Sequence, residues 1–379
     1  MTFTVNRKLL ATELALLQSV ISKYVTMPIL DTVRFEVRDR LRLTASSIDV
    51  TLTTEIPLPG LVNEPESWCV PIKPLAQLVT LFEKDEVTFE QTDTGRVKMQ
   101  CGRSKHLLPR YNAGDFPEPD AVDAETVTIK GELLSAMLNH TAFAVFAATG
   151  DVRTSDQKFT GLHWTLTDGQ LTIAATNKLR LAIARTPLAG SDFAVITPQQ
   201  VIPALRKLST GEVEIGVSAN GNLMMVRSAG RLLTMRLLVD KPLDWVSLFP
   251  VKYDHAAEVQ TSVLADSLKR ALVTSDDKPS FVIDGLKWLV SAGELQIESR
   301  DGDQGKSEES LPIACPSLNG NSVTLGMNGS QVIDYLNLDV AGERTRVEMT
   351  EGSHVIRLSP VAAKEFEYEY LVNTINLRW

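Results

Sequence analysis

A series of elements recurs three times at intervals of about 125 to 130 residues, and it limits what this chain can fold into more than any other feature. Each copy opens with a short extended run followed by a helical stretch. In the first copy, residues 7–22 place Leu10, Leu14, Leu17 and Ile21 three and four apart, which predicts one apolar helix face. Residues 131–146 give a comparable spacing with Leu134, Leu138 and Phe143, and residues 262–275 with Leu264, Leu268 and Leu272. The three stretches begin 124 and 131 residues apart.

The pieces after each helix keep step. Segments 41–56, 170–184 and 294–302 alternate apolar and polar residues and predict strands. Second, shorter helices are predicted over 71–82, 197–208 and 328–338. The first two carry proline near the first turn, where a missing N–H costs little, and Asn328 or Ser330 caps the third. A strand pair then closes each copy: EVTFE with RVKMQ, EVEIGV with NLMMV, and TRVEMT with HVIRL, around polar or glycine-bearing turns. The chain therefore reads as α+β, three copies of one mostly antiparallel unit with two helices on one side. The joints, which carry proline, glycine and acid, put the boundaries at 1–121, 122–250 and 251–379.

Composition mainly excludes. No run approaches the length of a spanning helix, and the opening MTFTVNRKLL lacks the apolar core and cleavage site of a secretory leader, so a cytoplasmic protein with no membrane partner is expected. Cys69, Cys101 and Cys315 lie far apart without CxxC spacing, and five histidines are equally scattered, so neither a disulfide framework nor a metal site is expected. No phosphate loop, nucleophile elbow, zinc-protease or dinucleotide motif occurs, and no cofactor or catalytic residue is assigned. Asp301 and Asp303 lie in a glycine-bearing run that lacks the closing glutamate of a calcium loop and reads as a solvated turn. Asp151 and Arg153 read as a structural ion pair or part of a DNA-facing loop.

A formal net charge of −9 speaks against a nucleic-acid binder only if the charges are evenly spread. Basic residues recur near the helices of all three copies: Arg7, Lys8, Lys23 and Lys73, then Arg206 and Lys207 with Lys178 or Arg180 nearby, then Lys269 and Arg270. As a set they suit one positive face that holds phosphates without reading bases, although each alone also reads as a solvated charge.

The order of several segments resembles the bacterial sliding clamps, the beta subunits of DNA polymerase III. The resemblance runs through TMPIL (26–30), LRLTASSIDV (41–50), AGDFPEPD (113–120), GDVR (150–153), FTG (159–161), IAATNKLRLA (173–182), VITPQQVIPALRKL (195–208), LLVDKPLDWVSLFP (237–250) and EYLVNTINLRW (369–379), and so spans essentially the whole chain. It implies three clamp domains per subunit, with sheets outside and two helices per domain lining a central channel. Two subunits would join head to tail around double-stranded DNA, with no enzymatic activity of their own.

The resemblance also implies an apolar pocket for short linear peptides of polymerase, clamp loader and repair proteins. Here it would use Phe159, Thr176, Lys178, Leu179, Arg180, Leu181, Pro242, Leu243, Ser247, Leu248, Leu371 and Asn373, with Trp245 at an aromatic position. Several of these depart from the family pattern. Asn177, Lys178 and Leu179 replace Asp-Gly-His, Ser247 replaces an arginine, and Asn373 replaces a methionine. A long cationic stem for glycine and an amide for a soft apolar wall point to altered peptide choice. Implied DNA contacts are Lys23, Arg153, Arg206, Lys207, Lys73, Arg7 and Lys269, with Thr154 and Ser155 where the family has tyrosines after Arg153. The dimer joint falls on 71–110 and 270–305, with Phe82, Leu107 and Leu108 facing Leu272, Phe281 and Ile297. Alternatives are a specialised second clamp serving a dedicated repair or element-specific polymerase, and a monomeric interaction scaffold on the same fold.

Overall fold

The computed structural model describes residues 2–22, 27–59, 65–92, 94–147, 153–244, 252–275, 285–300, 305–362 and 365–377. They gather into two compact units. The first is built from 1–136 and 188–239, the second from 137–187 and 240–379.

Six α-helices form among the described residues: α1 (Arg7–Leu17), α2 (Ile72–Leu81), α3 (Gly131–Thr141), α4 (Ile202–Leu208), α5 (Thr261–Val273) and α6 (Gly329–Leu336). Asn6 starts α1 by accepting the Lys8 and Leu9 N–H groups at 3.0 and 3.1 Å, two donors that the first turn leaves without helical partners. Leu10, Leu14 and Leu17 are fully buried, at about 2 kcal/mol each. Leu14→Ala alone would cost about 2–5 kcal/mol. The helix ends earlier than its apolar spacing suggests, tightening into a 3₁₀ turn at Gln18–Val20 before Ile21 turns extended. The helix predicted over 197–208 is likewise a 3₁₀ turn at Gln199–Val201 followed by the short α4. Gly131 opens α3 because a Cβ there would lie 2.4 Å from the Thr210 nitrogen.

Two sheets make up the first unit. One is four-stranded, in spatial order Thr2–Asn6, Glu86–Gln91, Arg96–Cys101 and Ser104–Pro109. The other runs Thr126–Lys130, Glu212–Val217, Leu223–Ser228, Arg231–Arg236, Val50–Pro57, Arg40–Ser46, Thr32–Val37, Glu66–Pro71 and Tyr111–Asn112. Helices α1 and α2 pack together, as do α1 and α4. In the second unit, one run is Gly161–Thr167, Gln170–Thr176, Arg180–Pro187, Glu367–Asn373, Val355–Pro360, Arg344–Met349 and His255–Gln260. A four-stranded sheet orders Glu308–Pro312, Glu294–Glu298, Gly285–Val290 and Val323–Asn328, and α5 packs on α6.

The predicted segments 41–56 and 170–184 are each a hairpin. In the first, Thr44 pairs with Thr53 and Ser46 with Thr51; in the second, Ala174 pairs with Ile183 and Thr176 with Leu181. Ile48 and Lys178 occupy the same place in the two turns, and both have left-handed backbone, φ 73° and 76°. That conformation costs an L-residue about 1–2 kcal/mol. Ladders also join strands of different repeats. Arg231–Arg236 lies on Val50–Pro57 with Thr234 opposite Thr51, and Glu367–Asn373 lies on Arg180–Pro187 with Leu371 opposite Leu181.

Candidate peptide and nucleic-acid sites

Because both joining ladders share one register, the residues at each can be compared place by place. In the second unit, Ala174, Leu181, Ile183 and Leu371 form one buried apolar cluster, with Leu243 and Val355 packed against it. The corresponding places in the first unit are Thr44, Thr51, Thr53 and Thr234. Thr44 and Thr53 share a hydrogen bond at 3.2 Å, and Ser46 and Thr51 one at 3.0 Å. The same backbone thus carries a hydroxyl floor at one joint and an apolar floor at the other.

The rim of the apolar floor is polar and tightly held. Thr176 donates its hydroxyl to the Arg180 carbonyl at 2.6 Å and accepts the Lys178 N–H at 3.0 Å. The Asn177 side chain accepts from the Leu179 and Arg180 N–H groups at 3.1 and 3.0 Å. Asn373 donates its side-chain amide to the Lys178 carbonyl at 3.1 Å and its backbone N–H to the Leu179 carbonyl at 2.9 Å. The residue that replaces a methionine therefore clamps the turn. Lys178 Nζ lies 2.6 Å from Asp156 Oδ1, 4.9 Å from the centre of the Phe159 ring and 6.0 Å from that of Phe146. This ammonium holds the Asp156 carboxyl below its usual range. Arg180 turns away, pairing with Asp334, donating to the Phe143 carbonyl at 2.8 Å and stacking over the Phe143 ring.

Of the peptide-site residues expected from sequence, the structure gathers Phe159, Thr176, Lys178, Leu179, Leu181, Leu243, Leu371 and Asn373 around this hairpin and its partner strand. Arg180 belongs to the packing beneath the rim, and Pro242 stands half-buried beside Leu243. Trp245, Ser247 and Leu248 lie outside the described residues. Ala174, Ile183, Val355, Phe146 and Asp156 were not singled out by sequence reasoning. Period-two alternation marked the strand faces, but it does not say which face of a hairpin meets which neighbour.

The basic candidates divide. Helices α1, α2 and α4 carry Arg7, Lys8, Lys73, Arg206 and Lys207 against a single carboxylate, Glu13, which is buried. Lys73 pairs with Asp31 at 3.0 Å, and Lys207 donates to the Ala15 carbonyl at 2.8 Å. Arg206 is exposed and Arg7 half-buried. In the second unit, Lys269 sits 3.5 Å from Asp266 and Arg270 pairs with Glu309, while Arg153 is exposed just ahead of the Thr154–Thr160 turn. Lys23, Asp151, Asp301 and Asp303 lie outside the described residues.

The expected joint residues need correction. Phe82, Leu108 and Ile297 are buried within their own units and are not free to face a partner, and Phe281 lies outside the described residues. Leu107 is 53% and Leu81 77% exposed, both within the expected 71–110, and Val273 is 74% exposed at the end of α5. Among the described residues no strand pairs on the outer side of Ser104–Pro109 or of Glu308–Pro312. The second of these edges lies just past the expected 270–305.

Among the described residues no helix is long and apolar enough to cross a membrane, and no group of His, Cys, Asp and Glu is placed to hold a metal ion. The three cysteines are free and buried, and burial pushes the Cys69 thiol up to about 11.

Repeated sheet-and-helix units, ladders across their joints and an open strand edge in each four-stranded sheet define a DNA-clamp fold of three domains. Residues 1–120 match the N-terminal domain of the DNA polymerase III beta subunit, 128–241 its central domain and 246–373 its C-terminal domain. The chain belongs to the beta sliding clamp family, as a divergent member. It is 26% identical over 373 residues to the beta sliding clamp of Salmonella typhimurium and 25% identical to that of Escherichia coli K12, covering 97% of this chain and 98% of each relative. The fold matches the DNA polymerase III beta subunit of Pseudomonas aeruginosa at TM-score 0.89 and 24% identity, each chain covered completely. A Pseudomonas aeruginosa clamp bound to griselimycin matches at TM-score 0.90 and 23% identity, again over the whole of both chains.

Proposed function

We propose that this protein is a non-catalytic DNA sliding clamp whose two copies close head to tail into a ring, with domains at 1–121, 122–250 and 251–379. The observation that carries the reading is the pair of open edges. Ser104–Pro109 holds the place in its repeat that Arg231–Arg236 and Glu367–Asn373 hold in theirs, each the last strand of a closing meander. Glu308–Pro312 likewise corresponds to Val50–Pro57 and Arg180–Pro187, each ending on proline opposite the start of the preceding strand. Both internal joints pair these two kinds of strand, so the open edges are the two halves of a third joint. Counting along either ladder sets His106 opposite Ser307 and Lys105 opposite Glu308, a favourable cross-strand charge pair. Exposed Leu81 and Leu107 on one side and Val273 on the other supply apolar area for burial. Long unpaired edges are otherwise a liability.

Inside such a ring the helices meet duplex DNA. The excess of Arg7, Lys8, Lys73, Arg206 and Lys207 over one sealed carboxylate supports phosphate attraction without base readout, with Arg153, Lys269 and Lys23 as further contacts. Net −9 then belongs mostly to the outer surface. The apolar floor around Leu371 takes short peptides of a polymerase, clamp loader or repair protein in the cytoplasm. Lys178 over Phe159 and Asn373 on the turn favour the narrower reading, a second clamp with its own partner set. Sedimentation equilibrium tests the ring. A stable species of twice the chain mass is expected at micromolar concentration, and a persistent monomer would favour an interaction scaffold instead.

A further inference from the structure

The turn that borders the apolar floor carries more positive charge than its own carboxylate neutralises. Lys158 Nζ lies 5.6 Å from the Phe159 ring centre and Lys178 Nζ 4.9 Å from it. Arg153 stands exposed at the start of the same turn. Among the described residues only Asp156 makes an ion pair with any of these three cations. Lys178 is also held where it is. Its backbone is left-handed, and its N–H donates to the Thr176 hydroxyl while its carbonyl accepts from the Asn373 amide, which fixes both of its peptide groups. The ammonium is thus pre-positioned three residues along the hairpin from the cluster member Leu181, and about 43% of its side chain is exposed.

We infer that Lys178 is a specificity residue of the peptide site, and that Asp156 occupies the place taken by a carboxylate of the bound peptide. The partner peptide carries an acidic residue beside its apolar ones, and on binding that carboxylate displaces Asp156 from Lys178 Nζ. The apolar residues lie beside it on the half-buried Leu243 and Val355, which pack against the buried Leu371, Leu181 and Ile183. This rests on the peptide-site reading above and specifies its ligand. Glycine at this place would take away the cation that Asp156 holds, and with it the preference for an acid. Lysine adds selectivity at the cost of left-handed strain.

Fluorescence anisotropy on the full chain with the labelled hexapeptide Gly-Asp-Leu-Leu-Phe-Gly, and the same peptide with Asn for Asp, tests this. The Asp peptide is expected to bind about threefold tighter at low salt, the size of a half-exposed ion pair, and the preference should fade at about 0.5 M salt. Asp156→Asn should widen the preference, since it removes the internal competitor. Lys178→Met should abolish it, the ratio of the two affinities falling to about one. Lys178→Gly, which suits the left-handed turn, should do the same in a chain whose fold is relaxed. Equal binding of both peptides to the wild type, or a preference that survives in both Lys178 variants, would overturn the assignment and leave the apolar site standing. Failure of both peptides to bind would overturn the site and the assignment together.

Discussion

Glu13 on α1 and Arg231 at the start of Arg231–Arg236 form a two-pronged ion pair inside the first unit, Nε to Oε2 at 2.9 Å and Nη2 to Oε1 at 2.6 Å. Thr54, directly opposite Arg231 in the ladder, donates its hydroxyl to the same carboxylate at 2.6 Å. The pair ties the first helix of one repeat to the joining strand of the next. Removing only one partner strands a desolvated charge. Arg231→Met alone should therefore lower stability by about 3 kcal/mol in urea unfolding, whereas Arg231→Met with Glu13→Leu should recover most of that loss. Losses that simply add would contradict the arrangement.

His163 predicts a pH effect. Burial pushes its imidazole down to about 4, and its Nε2 lies 2.7 Å from the Lys158 carbonyl oxygen, which fits a neutral ring donating there. The unfolded chain takes up the proton near 6.5 and the folded one only near 4. Stability is therefore complete above about 6.5 and falls by about 3 kcal/mol as pH drops towards 4. His163→Gln should flatten that part of the profile relative to the wild type in urea midpoints at pH 7, 5.5 and 4. An unchanged slope would mean that another group titrates there.

The third joint is open to chemical capture. With His106→Cys and Ser307→Cys, the proposed register brings two Cα atoms within about 5.5 Å, inside disulfide range. Mild oxidation should give a covalent species of twice the chain mass on a reducing-agent-free gel. Leu108→Cys with Ser307→Cys, two places out of register, should give far less. Equal yields from both pairs would refute the register.

The contrast between the joints can be reversed by substitution. Ile183→Thr with Leu371→Thr gives the second unit the hydroxyl floor of the first. Apolar peptide binding should weaken about tenfold, because the buried floor that seats the half-buried Leu243 and Val355 is loosened. Retained affinity in a chain whose circular dichroism is unchanged would place the peptide elsewhere.

How much of this was legible in the sequence depended on whether the signal was local. The spacing of Leu10, Leu14 and Leu17, or of Leu264 and Leu268, placed the helices because one face of each is buried. The repeat order placed the strands and, with the family segments, the fold. Helix ends were overrun, as at Ile21, because an apolar residue can go on contributing to a core after the helical hydrogen bonds stop. The site was half legible. Thr176, Lys178 and Leu181 stand in one recognisable segment, but Val355, Asp156 and Phe146 reach it through tertiary packing that no local period encodes. Ile297 and Leu108 were misplaced for a related reason, since alternation shows that a residue faces a core and not which core.

The central claim is that the chain holds DNA by enclosing it. The most direct test loads the labelled protein onto a nicked circular plasmid, removes unbound protein, and follows retention in about 0.5 M salt, where phosphate contacts are weak, before and after one restriction cut. Retention on the circle and rapid loss once the DNA is linear is the expected result. Equal retention on both forms, or equal loss from both, would contradict it.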